Sequence, residues 1–247
     1  MSRAFAVVHE AVADFTTATE LADRVLIEAI DWLEEDQLPY QRGWVGETAD
    51  GHRLSWTEIK QLARASGVRS HGHFDGEPGL PDAIAARRAI DYLQLTFPEL
   101  KAVVLIRDQD DQADRRDGLE QARREDHEGL VIVVGLAIVE RECWVVCGFE
   151  PRDDSERARL EDARQQVGFY PHERSHDLKG CKDDNAKLSP KRVLRVLTDG
   201  NYDRERRCWK ETSLDVLRQR GKENGLADYL HEVRERLAPL IGRVSPS

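Results

Sequence analysis

Carboxylates close three clear apolar runs in this chain. Phe5-Ala6-Val7-Val8 leads into His9-Glu10, with Asp14 four residues on. Lys101 to Ile106 leads into Arg107-Asp108-Gln109-Asp110-Asp111. Leu130 to Val139 leads into Glu140-Arg141-Glu142-Cys143-Trp144. Side chains i and i+2 of an extended chain share a face, so Asp108 and Asp110 are placed to reach one ion. Carboxylates gathered a few ångströms apart repel unless one protonates or a cation sits among them. Hard oxygen donors at a solvent-open edge suit Mg²⁺ or Mn²⁺. The expected metal ligands are therefore Glu10, Asp14, Asp108, Asp110, Glu140 and Glu142.

These residues need elements that bring them to one edge. Continuous apolar runs alternating with helices indicate a parallel sheet covered on both faces. In an open parallel sheet the C-terminal strand ends share one edge, where ligands bind. Between the first two strands, Phe15, Ala18, Leu21, Ala22, Val25, Leu26, Ala29, Ile30 and Leu33 recur at helical spacing and predict a helix from Asp14 to Glu35. Residues 36–80 break the pattern with glycines, Trp44, Trp56 and His71-Gly72-His73, and read as an insertion holding one short helix, Ser55 to Ala65. Pro81-Asp82 opens another helix, and an acidic one runs from Asp114 to Asp126. Beyond Phe149 the chain reads as mostly helical: Ser155 to Val167, Pro190 to Leu197 with Ser189 as N-cap, Ser213 to Arg220, and Leu226 to Ile241 with Leu226, Tyr229, Leu230, Val233, Leu237 and Leu240 on one face. The expected organisation is an α/β domain over residues 1–150 and a helical C-terminal extension over 151–247 packed on it.

The composition bounds the function. With 247 residues, 40% hydrophobic and 34% charged, the chain can bury a substantial core and is not a disordered one. No apolar run reaches the ~18 residues of a membrane helix, and the N-terminus lacks the apolar stretch of a signal peptide, so the expected location is the cytoplasm, away from membranes. Cys143, Cys147, Cys181 and Cys208 form no C-x-x-C pair, which argues against a zinc ribbon or a thioredoxin motif. The net charge of −10 argues against a protein that coats nucleic acid unaided. It leaves a nuclease open, because bound metal ions reverse the field of their carboxylates.

Glu10-Ala11-Val12-Ala13-Asp14 is similar to the E-G-x-x-D element of OLD-like proteins. Asp108-Gln109-Asp110 resembles the D-x-D of TOPRIM domains. Glu140-Arg141-Glu142-Cys143-Trp144 resembles the E-x-E-A-W element of the TOPRIM-like DUF4276 family, and Ser189-Pro190-Lys191-Arg192-Val193-Leu194 its P-K-x-x-L element. The likeness covers residues 4–240, with Ala11 standing where the family has glycine and with a long segment before Lys101. It implies a Rossmann-like TOPRIM sheet and two-metal phosphodiester hydrolysis. Glu10 would contact a metal or act as general base, Asp14, Asp108 and Asp110 would be ligands, Glu140 or Glu142 would complete the second site, and Lys191 would approach the scissile phosphate. The catalytic set is then Glu10, Asp108, Asp110 and Lys191. Such proteins act on DNA or tRNA, often beside an ATPase in bacterial defence against phage. A separate ATPase subunit is expected, since the chain holds no G-x-x-x-x-G-K-[ST] loop.

Two other readings compete. One is a non-catalytic TOPRIM-like subunit that binds a partner. The other is a phosphatase or phosphotransferase with a D-x-D nucleophile, against which Gln112 stands where Thr or Val is usual. His71 with His73, His172 with His176, Asp111, the cluster Arg204, Arg206, Arg207 and Lys210, and Trp44, Trp56 and Trp209 read as surface, salt-bridge or core residues before they read as ligands or base-stacking platforms.

Overall fold

The computed structural model describes residues 3–47 and 53–245. The tip of the expected insertion, 48–52, lies outside them. The chain is α/β, with a parallel sheet flanked by helices and a helical C-terminal part. It forms two compact units. The first comprises Met1–Arg107, Gln112–Gly135 and His231–Ser247; the second comprises Asp108–Asp111 and Leu136–Leu230.

The first unit holds most of the sheet. Strand β1 is Arg3–His9, followed by helices α1 (Val12–Ala29) and α2 (Leu38–Gln41), strands β2 (Arg42–Trp44) and β3 (Leu54–Ser55), and helix α3 (Trp56–Ala65). A hairpin of β4 (His73–Phe74) and β5 (Glu77–Pro78) leads to α4 (Pro81–Thr96), β6 (Leu100–Asp108), α5 (Arg115–Arg123) and β7 (Val131–Ala137). The strand order is β2-β1-β6-β7, with β3 also on β1. β1 runs parallel to β2, β3 and β6. The apolar runs are buried as a two-sided sheet requires: Phe5 to Val8 and Ala102 to Ile106 are almost fully enclosed.

Helix α1 buries Phe15, Ala18, Leu21, Ala22, Val25, Leu26 and Ala29. It ends six residues before the expected Glu35, with Ile30 extended. The carbonyl of Ala29 accepts from the amide of Ser245 instead of from a further helical turn. Ile30 and Leu33 remain buried beyond the helix end. The expected insertion is also more ordered than a loop, since β2 and β3 both join β1.

The second unit is helical: α6 (Arg141–Cys147), α7 (Asp154–Val167), a 3₁₀ turn at Ser175–Asp177, α8 (Pro190–Thr198), α9 (Tyr202–Lys210), α10 (Leu214–Arg220) and most of α11 (Leu226–Glu232), whose last two residues belong to the first unit. Ser189, Asn201 and Ser213 cap α8, α9 and α10 through their side chains. Trp144 stacks on Tyr229 at 5.2 Å and donates its indole N–H to Asn224 O at 2.9 Å. The buried Asn224 also donates to Cys143 O and Ser175 Oγ, so this polar core is satisfied. Arg204 reaches Glu156 with bonds of 2.6 and 2.9 Å, both side chains being buried.

The last expected helix, Leu226 to Ile241, is interrupted. A π-helical turn covers Val233–Leu237 and a 3₁₀ turn Ala238–Leu240. Pro239 has no amide to continue the helical ladder. The wide turn shifts the buried face by one position, so Ala238 and Ile241 are buried while Leu240 is half-buried. No helix among the described residues is long and apolar enough to cross a membrane.

Candidate metal centre

Asp108 is the last residue of β6, and the chain turns directly after it. The amide of Gln109 donates to Ala137 O at 2.8 Å and that of Asp110 to Val139 O at 3.2 Å. These bonds fasten the D-x-D segment to the last residue of β7 and to the segment that follows it. Both Asp110 (φ 48°) and Val139 (φ 72°) are left-handed. For a β-branched residue that conformation is a true outlier and stores on the order of 1–3 kcal/mol. Strained positions of this kind concentrate where a side chain must be aimed.

Glu140 follows Val139 as the N-cap of α6, with extended backbone and no side-chain cap bond. Its side chain is therefore not used to start the helix. Asp108 is: its Oδ1 accepts from the amide of Arg141 at 2.8 Å. Asp110 and Glu140 line one cavity of about 450 Å³ with Asp111, Leu178, Lys179 and Lys182. The volume lies in the ~300–1,000 Å³ range of small-molecule sites.

The electrostatics single out Glu140. It is 8% exposed, and its Oε2 is buried with no hydrogen-bond partner. Burial pushes its carboxyl above the usual range, the charges of Glu142, Asp110 and Asp184 push the same way, and Lys191 offsets part of this. Lys191, near the start of α8, lies 3.5 Å from Asp184 Oδ1. Burial acts to lower its ammonium, but Glu140, Asp184 and Glu142 outweigh that and hold it above the usual lysine range. Glu142 Oε1 is 3.0 Å from the guanidinium of Arg141. The second unit thus brings together Asp110, Glu140, Glu142 and Lys191, with Asp108 bonded to the backbone beside them.

Glu10 and Asp14 belong to the first unit. Asp14 Oδ2 accepts from the amides of Glu10 (3.1 Å) and Ala11 (2.6 Å), so it serves the start of α1. Glu10 Oε1 lies 3.6 Å from Arg107 and 3.8 Å from Arg115. Both arginines also meet the buried Asp82. Two guanidinium groups supply the positive charge near Glu10.

Among the described residues, no three His, Cys, Asp or Glu side chains stand arranged to hold a metal ion. The donors that share the cavity nonetheless have the chemistry for one. Asp110 and Glu140 offer hard oxygens, one of them buried and unpartnered. Their mutual repulsion is the kind a divalent cation relieves.

None of the histidines or tryptophans lines this cavity. His71 Nδ1 meets Arg87, whose guanidinium covers Phe74. His172 is buried at the edge of Tyr170, and Trp44, Trp56 and Trp209 are buried. Sequence reasoning missed the loop Leu178–Lys182, which forms one wall of the cavity. Its only signal was a Lys-Gly-Cys-Lys run, which has no periodicity to mark it.

Among known proteins, no protein-family model, no curated protein and no solved structure matches the chain.

Proposed function

We propose that this chain is a divalent-metal-dependent nuclease of the TOPRIM kind, with its centre at Asp108, Asp110, Glu140 and Glu142. One observation supports it above the others: the Glu140 carboxylate is buried at a cavity, with one oxygen unpartnered and three further carboxylates, Glu142, Asp110 and Asp184, raising its energy. A buried carboxylate left in that state costs stability unless a ligand uses it. Asp110 and Glu140 would hold Mg²⁺ or Mn²⁺, with Asp108 and Glu142 adjacent. The ion would supply an activated water and charge stabilisation at the leaving oxygen. Lys191 would place its ammonium against the scissile phosphate, since the same carboxylates keep it charged. Glu10 and Asp14 enter this reading through their place after the first strand and through the family resemblance; neither lines the cavity.

The substrate is a phosphodiester of DNA or tRNA. The partner is a separate ATPase subunit in a bacterial anti-phage system, an assignment that follows the resemblance and the missing nucleotide loop. A second reading is favoured by the arginines around Glu10 and by the unclosed metal set: a TOPRIM-like subunit that binds a partner without catalysis. Metal-dependent cleavage of plasmid or tRNA that disappears in Asp110→Ala separates the two. Cleavage that survives that substitution excludes this centre, and no cleavage by the native chain with its neighbouring subunit leaves the partner-binding reading.

A further inference from the structure

The cavity has two chemically different walls. One carries Asp110, Asp111 and Glu140; the other is the loop with Lys179, Gly180, Cys181 and Lys182. The loop is fixed at its backbone. The amide of Lys179 donates to Leu188 O at 3.0 Å, and Cys181 Sγ donates to Lys179 O at 3.1 Å. It passes directly over the acid wall, since a Cβ on Gly180 would meet Glu140 Oε1 at 3.5 Å. The lysine heads have no such commitment. Lys191 has Asp184 at 3.5 Å, but Lys179 and Lys182 are exposed and make no ion pair among the described residues.

A polyanion approaching a chain of net charge −10 is repelled unless a local basic surface receives it. At this cavity the surface is the pair Lys179 and Lys182, beside a buried carboxylate with an unpartnered oxygen. We propose that the Leu178–Lys182 loop is the strand-binding wall of the centre, with Lys179 and Lys182 each contacting a backbone phosphate of a nucleic acid whose scissile bond faces Glu140. The inference rests on the nuclease reading. Contacts of this kind position the strand and carry no sequence information.

The test measures binding of the full chain, with Ca²⁺ in place of Mg²⁺, to two labelled probes: a 30-base-pair DNA duplex and a folded tRNA. Each is titrated between about 0.05 and 0.2 M salt. Lys179→Gln/Lys182→Gln is compared with the native chain and with Lys101→Gln, an exposed lysine of the first unit. On the probe that the native chain binds, the double variant should bind at least tenfold more weakly. Its slope of log affinity against log salt should fall by about 1.8 for duplex DNA, the value for two lost phosphate contacts. Lys101→Gln should leave both unchanged. Bound nucleic acid should also slow alkylation of Cys181.

Unchanged affinity and slope in the double variant overturn the inference, as does a native chain that binds neither probe. The nuclease reading is judged separately by Mg²⁺-dependent cleavage. A native chain that cleaves beside a double variant that binds normally removes only the loop assignment. Lysine-dependent binding without any cleavage keeps the loop assignment and removes the nuclease.

Discussion

The amide of Asp110 donates to the carbonyl of Val139 at 3.2 Å, and both residues are left-handed. This one bond joins the D-x-D segment to the residue before Glu140. It sets how the acids of two chain segments approach one cavity, and it does so with a valine in a conformation that valine disfavours.

That strain has a measurable consequence. Glycine reaches positive φ without penalty, whereas alanine does not. Val139→Gly should therefore be more stable than Val139→Ala by about 1 kcal/mol, reversing the usual order of the two residues. Urea unfolding of both variants reads this directly, and an alanine variant equal or superior to the glycine variant would show that position 139 is not strained.

Glu140 should be a residue whose loss stabilises. Its folded carboxyl is raised by burial and by Glu142 and Asp110. A raised carboxyl stabilises only while protonated, and that contribution is lost as pH climbs from the ordinary carboxylate range toward neutrality. Glu140→Gln should then raise stability at pH 7 by about 1 kcal/mol, or about 2–4 °C in Tm for a chain of this size. The gain should shrink as the pH falls toward 4.5. Added Mg²⁺ should raise the native Tm by mass action and leave the variant unmoved. Equal Mg²⁺ shifts in both proteins would detach Glu140 from any metal.

The buried pair Arg204 and Glu156 gives the opposite pH sign. The guanidinium of Arg204 is the main influence holding Glu156 below the usual range, against burial, which acts to raise it. A depressed carboxyl contributes stability above its unfolded value and loses it as pH falls through the folded one. Arg204→Met should cost about 3–5 kcal/mol at pH 7, because it strands a buried carboxylate. Glu156→Gln should be most destabilising at neutral pH and progressively less so below pH 4.5. A destabilisation by Glu156→Gln that stays constant between pH 7 and pH 3 would contradict this assignment.

Alkylation should distinguish the thiols. Cys143, Cys147 and Cys208 are buried, and burial pushes Cys147 and Cys208 up to about 12 and Cys143 well above its ordinary value. Cys181 is partly exposed. Iodoacetamide at pH 8 should label Cys181 in the native chain and the other three only in denaturant. Mass spectrometry finding native-state label at Cys147 or Cys208 would contradict the packing of the second unit.

The strands were legible because a sheet buried on both faces needs no alternation, so Phe5–Val8, Lys101–Ile106 and Leu130–Val139 stand out as apolar runs. Buried helix faces were legible from apolar residues recurring at i, i+3, i+4 and i+7, as along α1. Helix ends were not: nothing near Ile30 announces that Ser245 takes the Ala29 carbonyl. The face beyond Val233 was displaced because a π turn shifts the register by one residue while the apolar spacing looks continuous. At the site, the acids were visible as residue types after strands. Their division was not, because Asp14 and Glu10 are engaged by backbone amides and by arginines that come from elsewhere in the sequence. The lysine wall lies in a loop, where period and propensity carry no signal.

Glu140 and Asp110 are the proposed metal-dependent phosphodiesterase centre. The test is cleavage of supercoiled plasmid and of tRNA by the chain, alone and with the proposed ATPase partner, in Mg²⁺ or Mn²⁺ and in chelator, for the native protein, Glu140→Gln and Asp110→Ala. Cleavage should require the metal and fall at least 10²-fold in each variant, about 2.7 kcal/mol of lost transition-state stabilisation. Cleavage that persists in both variants, or in chelator, would contradict it.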